Sequence, residues 1–167
     1  MLMKTQTRQH HRERGFSLIE LLIVVAIILI IAAIGIPNLM RARMSANESS
    51  AAASIRTIST GEVSYASTFP TVGYTALNSL GGATPCAPSP TSGCFVDGVL
   101  SSGTKEGYNF TVTPSSASGG LNTTYTSLAS PIGLNGTGTR SFCSDQTGVI
   151  YHNQNAVTCD STNPVLQ

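Results

Sequence analysis

One acidic residue interrupts an otherwise apolar run near the start of the chain. From Leu18 to Ile36 the side chains are apolar or small, and Glu20 is the single charged residue among them. About 19 residues at about 1.5 Å each nearly span a hydrocarbon core of about 30 Å, so the run predicts a membrane-spanning helix. A charge within such a helix costs roughly 3 kcal/mol on insertion scales. Glu20 is therefore expected to have a function that offsets this cost.

The residues before the run are polar and basic. Four cations and one carboxylate give positions 1–15 a charge of about +3, which the positive-inside rule keeps on the cytoplasmic side: Lys4, Arg8, Arg12, Arg14 and Glu13. A secretory signal peptide fits poorly, because Arg41 and Arg43 lie where a small-residue cleavage site is usually found. The rest of the chain is slightly acidic, which argues against a basic surface for nucleic acid.

The start of the apolar run resembles a known family. Residues 15–28, which read Gly-Phe-Ser-Leu-Ile-Glu followed by apolar residues, resemble the class III signal of type IV pilins and type II secretion pseudopilins. The resemblance covers about residues 14–40. It implies cleavage after Gly15 by a prepilin peptidase and N-methylation of the new N-terminal Phe16. It also implies that Glu20 acts in assembly, and a pairing with the Phe16 amine of a neighbouring subunit would fix the axial register between helices.

A second feature of the run is a helix-weakening pair at its end. Pro37 removes a helical hydrogen bond and clashes with the preceding turn, and Gly35 lowers helix propensity by about 1 kcal/mol. The two residues are predicted to mark a kink or a melted turn. The chain departs here from the resembled family, because many members carry a glycine where this chain has Leu29.

The next segment, residues 38–69, is predicted to be an amphipathic helix that ends at Phe69-Pro70. Apolar side chains at helical spacing share one face, which should pack on a sheet: Ala51, Ile55, Ile58, Tyr65 and Phe69. Glu62 falls on the same face, and the local pattern offers no reason for it. The other charged residues of the helix are interpreted as solvated or as contacts between subunits: Arg41, Arg43, Glu48 and Arg56.

The remaining chain is predicted to form a loop and a small sheet. Residues 70–104 are rich in Gly, Pro, Ser and Thr and are expected to be an irregular, variable loop. Strands are predicted in four stretches, the last two joined by a turn over 145–148: 108–113, 123–129, 140–144 and 149–153. The fold class is therefore α+β, with a long N-terminal helix packed on an antiparallel sheet of three to four strands, as the pilin resemblance also implies.

These signals divide the chain into five segments. They are a cleaved leader (1–15), an apolar transmembrane or filament-core helix (16–37), the amphipathic helix (38–69), the loop (70–104), and the sheet with a disulfide-closed C-terminal region (105–167).

Four cysteines lie beyond the apolar segment, and three pairings are possible. A membrane-targeted chain points to an oxidising compartment and to two disulfides. The pairs Cys86–Cys94 and Cys143–Cys159 are favoured because both close short loops. Free thiols or a metal site are the alternatives, although His152 is the one histidine outside the leader.

The sequence shows no catalytic constellation and no phosphate-binding glycine loop, so no enzyme activity and no cofactor are predicted. Asp145 and Asp160 could contribute to a calcium site, but calcium needs several oxygens at ordered spacing. His152 is interpreted as a surface residue rather than a base.

Three functions are consistent with these features. The favoured one is a type IV pilin subunit that polymerises into a surface filament for adhesion, twitching motility or DNA uptake. The alternatives are a type II secretion pseudopilin in a periplasmic pseudopilus and a tethered binding module that does not polymerise. The resemblance implies as partners further copies of the chain, the prepilin peptidase and methylase, and an inner-membrane assembly platform. It implies an inner-membrane location before assembly.

Overall fold

The computed structural model of the protein describes residues 15–82, 85–116 and 120–166. The chain divides into two compact units, Met1–Asn38 and Leu39–Gln167. Helix α1 (Leu18–Thr68) begins in the first unit and ends in the second. It ends one residue before Phe69-Pro70, where the sequence predicted its end, because a residue before proline disfavours the helical region.

The second unit contains the sheet. Its strands are β1 (Thr104–Lys105), β2 (Tyr108–Ser116), β3 (Asn122–Pro131), β4 (Arg140–Asp145) and β5 (Ile150–Gln154). The spatial order β1-β2-β3-β4-β5 follows the chain, and every neighbouring pair is antiparallel. The α+β class is confirmed, and so are the four predicted strands. The two-residue β1, too short to leave a periodic pattern, makes a fifth strand.

The core lies between α1 and one face of this sheet. Along β2 the residues alternate between buried and exposed, with Tyr108, Phe110 and Val112 buried. The helix buries Ile55, Ile58 and other residues of the predicted face against them. The helical spacing therefore identified the packed face correctly, Glu62 included.

The segment 70–104, expected to be an irregular loop, contains two one-turn helices, α2 (Leu77–Leu80) and α3 (Gly98–Ser101). Leu80 and Leu100 are fully buried, so these turns extend the core. A close backbone approach holds the start of the segment to β3. The Tyr74 N–H donates to the Asn122 carbonyl at 3.0 Å, and Gly73 has a φ of 77°. A Cβ at Gly73 would collide with that carbonyl oxygen, so only glycine fits there.

Both disulfides are local. Cys86 is joined to Cys94 within the 70–104 segment, and Cys143 on β4 is joined to Cys159. These are the pairs that the short loops favoured. The second bond holds the C-terminal segment beside the sheet, where the Leu166 N–H donates to the Ile150 carbonyl at 2.8 Å. The end of the chain thereby covers the outer edge of β5.

Candidate functional site

The first turn of α1 places Glu20 against its own backbone. The Ser17 N–H donates to Glu20 Oε2 at 3.0 Å, just before the helix begins at Leu18. This is half of a capping box, in which a glutamate at the third helical position satisfies a free N–H group at the helix start. A carboxylate there also interacts favourably with the positive end of the helix dipole. The Ser-x-x-Glu spacing is the sequence signal that could have indicated this bond.

The rest of the first unit is an apolar helix, and no other described residue buries its side chains. Its most hydrophobic 18-residue window has a mean hydropathy of 3.2 and no buried residue, so it is long and apolar enough to cross a membrane. Large side chains are exposed on all sides of the helix, from Leu18 (80 %) to Ile36. Such a surface is stable only when lipid or other apolar helices cover it.

The residues predicted to mark a kink lie inside this helix. Helix α1 continues through Gly35 and Pro37 without a break. A Cβ built at Gly35 would meet no described atom within 4 Å beyond the neighbouring residues and backbone of its own helix. A kink or a melted turn at this point stays a prediction.

In the second unit, Glu48 joins the helix to the start of β4. Its Oε1 accepts hydrogen bonds from the Thr139 N–H (2.7 Å) and hydroxyl (2.8 Å). Its Oε2 accepts a hydrogen bond from Arg140 Nε and forms an ion pair with Arg140 Nη2, both at 2.8 Å. Burial acts to raise the pKa of Glu48, but the bonds from Thr139 and Arg140 outweigh it, so the pKa lies below its usual value. The interpretation of Glu48 as solvated or as a subunit contact is wrong, because its side chain is buried and bonded to Thr139 and Arg140 of the same chain.

Two neighbouring hydrogen bonds reinforce this junction. The Tyr108 hydroxyl donates to the Arg140 carbonyl at 2.8 Å, and Asn47 Nδ2 donates to the Thr137 carbonyl at 2.9 Å. Arg41, Arg43 and Arg56, which the sequence interpretation grouped with Glu48, are exposed.

Replacing Glu48 with glutamine should lower the free energy of unfolding by about 2–3 kcal/mol, because Arg140 loses its counter-charge in a half-buried site. Urea unfolding of the full chain in detergent would measure this, followed by the near-ultraviolet circular dichroism of its five tyrosines. Asp97→Asn is the matched control. It removes the exposed Asp97–Lys105 ion pair (3.5 Å) and keeps a residue that can cap α3, so it should cost below about 0.5 kcal/mol. If the two variants lost the same free energy of unfolding, the result would contradict a stabilising role for the Glu48–Arg140 contact.

Glu62, which the local pattern left unexplained, is 0 % exposed in the core. Its Oε2 accepts the N–H of Thr75 at 3.0 Å, while Oε1 has no hydrogen-bond partner in the described chain. Burial raises the pKa of this carboxyl to about 7, although the Thr75 bond acts in the opposite direction. Glu62 therefore ties the segment after the helix to α1, with a proton that titrates near neutrality. Sequence reasoning missed this role because the partner is a backbone group.

The outer face of the sheet carries Asp145 and Asp160 on the walls of an open cavity of about 240 Å³. Each carboxylate accepts hydrogen bonds from a threonine two residues later, Thr147 or Thr162. In the described residues no group of three or more His, Cys, Asp or Glu gathers as a metal site. His152 is half-buried, and its Nδ1 has no hydrogen-bond partner among the described residues. No catalytic arrangement follows from these groups.

Comparisons with known proteins match part of the chain. Residues 10–36 match the family described as "Prokaryotic N-terminal methylation motif". The chain is similar to the "Type IV major pilin protein PilA" of Myxococcus xanthus, with 44% identity over 59 residues, 35% of this chain and 27% of that protein.

A second similar protein is the "Type IV wide pilus major component PilA4" of Thermus thermophilus. It is 66% identical over 35 residues, which are 21% of this chain and 27% of that protein. The matched stretches span about a quarter of the length of either relative. No solved structure matches the chain.

Proposed function

We propose that this chain, which carries the N-terminal segment of the type IV pilin family, is a structural subunit that polymerises through its N-terminal helix into a surface filament. The observation that carries the proposal is the unpacked apolar helix of the first unit, with one carboxylate in its first turn. The family resemblance and two relatives named as pilus components support it. Adhesion, motility and DNA uptake all fit such a filament.

The physical route from membrane to filament is an exchange of partners. Before assembly, lipid covers the apolar helix in the inner membrane. In the filament, helices of other copies replace the lipid, and this exchange is permitted because lipid and helix surfaces are equally apolar. One head-to-tail contact repeated with a rotation and a rise generates an open helical filament. An inner-membrane assembly platform would move subunits from lipid to polymer.

Glu20 and Phe16 would set the register of this packing. The Ser17 bond occupies Glu20 Oε2, and no other hydrogen bond to this carboxylate is found within the described chain. After cleavage behind Gly15, Phe16 becomes the N-terminal residue and carries a cationic, methylated amine. A neighbouring subunit's amine placed against Glu20 neutralises a charge that would otherwise be isolated in an apolar medium. This ion pair between Glu20 and the neighbouring amine can then form at one axial offset between adjacent helices.

Electron microscopy and mass spectrometry of sheared cells test the proposal. Filaments should contain this chain, beginning at an N-methylated Phe16. Short periplasmic structures together with a secretion defect on deletion would instead support a type II secretion pseudopilin. A chain that stays monomeric in the membrane would support the tethered binding module and overturn the proposal.

Substitution of Gly15 should block processing. A Cβ at Gly15 meets no described atom within 4 Å, so Gly15→Val leaves the fold intact and changes only what the peptidase encounters. Immunoblots should show the full-length precursor and no filaments. Gly35→Ala is the control, because a Cβ is equally unhindered there and the site lies within the apolar helix, away from the cleavage site. Its processing should be normal. Efficient cleavage of Gly15→Val would contradict the assigned cleavage site.

A further inference from the structure

The second unit exposes apolar and cationic side chains at its start and in one loop. The β3–β4 loop exposes Ile132 (58 %) and Leu134. The start of this unit exposes two further apolar residues and two arginines. We call these six residues the junction patch: Leu39, Met40, Arg41, Arg43, Ile132 and Leu134.

Contacts within the second unit bring the loop to this part of the helix. The Asn47 amide donates to the Thr137 carbonyl at 2.9 Å, and the Ile132 N–H donates to the Gly107 carbonyl at 3.0 Å. Together with Met40 and Arg43, residues Asn47, Gly107 and Thr137 line an open cavity of about 420 Å³. The loop and the first turns of the helix in this unit therefore meet at this cavity.

We infer that the junction patch docks on an acidic phospholipid surface while the subunit is in the membrane. The inference rests on the proposed function, because it needs a membrane-inserted subunit. Chain connectivity supplies the location. Met40 follows Ile36 by four residues, so the patch begins within about 6 Å, along the helix, of the end of the apolar run.

The chemistry of the patch fits the boundary between headgroups and acyl chains. Apolar side chains gain by entering the acyl region, while arginines remain with the phosphates, where their planar fork binds oxygen pairs. Arg41 and Arg43 make no ion pair with any described residue. Glu106 lines the same cavity as Arg43 and repels anions, but two arginines against one glutamate leave the patch cationic.

Single-tryptophan variants of the full chain test this docking, since the natural sequence has no tryptophan. The chain is reconstituted in vesicles of phosphatidylcholine and phosphatidylglycerol, part of which carry bromine on the acyl chains. Ile132→Trp should be quenched about threefold more than Val63→Trp, because interfacial side chains reach about 5–10 Å into the acyl boundary. Val63 is the matched control: it is 56 % exposed and lies about 35 Å beyond Met40 along α1.

The arginine contribution is tested in the same vesicles. With Arg41→Gln and Arg43→Gln added, quenching of Ile132→Trp should fall to the level found in pure phosphatidylcholine. Equal quenching with and without the arginines would overturn the acidic-lipid part of the inference.

Leu29→Trp reports insertion of the apolar helix and separates this inference from the proposed function. Strong quenching at position 29 with none at 132 beyond the Val63→Trp level would overturn the docking alone. A blue-shifted Ile132→Trp in filaments, but not in vesicles, would likewise overturn it and would assign the patch to a second copy. Absence of quenching at position 29 would overturn membrane insertion and the docking together.

Discussion

Alanine in place of Glu20 is expected to leave cleavage after Gly15 unchanged and to lower the yield of sheared filaments by about tenfold or more. The variant loses the charge that would pair with a neighbouring Phe16 amine, and a loss of about 1.4 kcal/mol at one repeated contact already changes an equilibrium tenfold. Immunoblots of whole cells measure processing, and immunoblots of the sheared fraction measure the filament yield.

Glu20→Gln separates the capping bond to Ser17, which the structure shows, from the ion pair between subunits, which the resemblance implies. Glutamine at this position can still accept the Ser17 N–H, so it keeps the capping bond of the first helical turn. It has no charge and cannot form the ion pair between subunits. Filament yield as low as that of Glu20→Ala would support the register role. Full recovery with glutamine would show that Glu20 acts only within its own helix.

The stability of the second unit is expected to fall as pH rises through about 7, and Glu62→Gln should remove this dependence. The pKa of Glu62 is raised to about 7 by burial, against an ordinary value of 4.5, so the folded chain binds the proton more tightly than the unfolded chain. The stabilisation from protonated Glu62 is complete below about pH 4.5, and it is lost as the pH rises through the pKa of Glu62 in the folded chain. The free energy of unfolding should therefore fall by up to about 3 kcal/mol by pH 8.

Urea unfolding in detergent at pH 5 and pH 8 measures the effect. The two proteins should be similarly stable at pH 5, and Glu62→Gln should be the more stable at pH 8. The nearby Tyr125 stays neutral across this range, because burial, with a smaller effect from the Glu62 carboxylate, raises its pKa. Glu106→Gln, which changes an exposed carboxylate, is the control and should retain the pH dependence of the natural sequence. A natural chain whose stability does not change between pH 5 and pH 8 would contradict the assignment.

Local patterns predicted the regular elements of this fold well. Alternation marked β2, and the turn over 145–148 marked the β4–β5 hairpin, because both signals need only residues that are neighbours in sequence. Helical spacing found the buried face of α1 for the same reason. The two-residue β1 and the one-turn α2 and α3 are too short to show a period.

The two buried acids of the second unit show where local reasoning ends. Glu48 is stabilised by Thr139 and Arg140, and Glu62 by a backbone N–H of Thr75. These partners are defined only after the chain has folded, so Glu48 was interpreted as solvated or as a subunit contact, and Glu62 was left unexplained. At the N-terminus the family motif lies in one continuous stretch and was found from the sequence, whereas the Ser17–Glu20 capping bond was missed although the two residues are only three apart.

The sequential order of the strands has a consequence for how the protein is made. Each strand pairs with the one synthesised just before it, and each disulfide joins cysteines 8 or 16 residues apart. As the polypeptide is synthesised, each hairpin of the sheet can close as soon as its second strand is available. The contacts of α1 with the sheet are different: the Asn47–Thr137 and Glu48–Arg140 bonds join early residues to late ones, so they form only once β4 has been made.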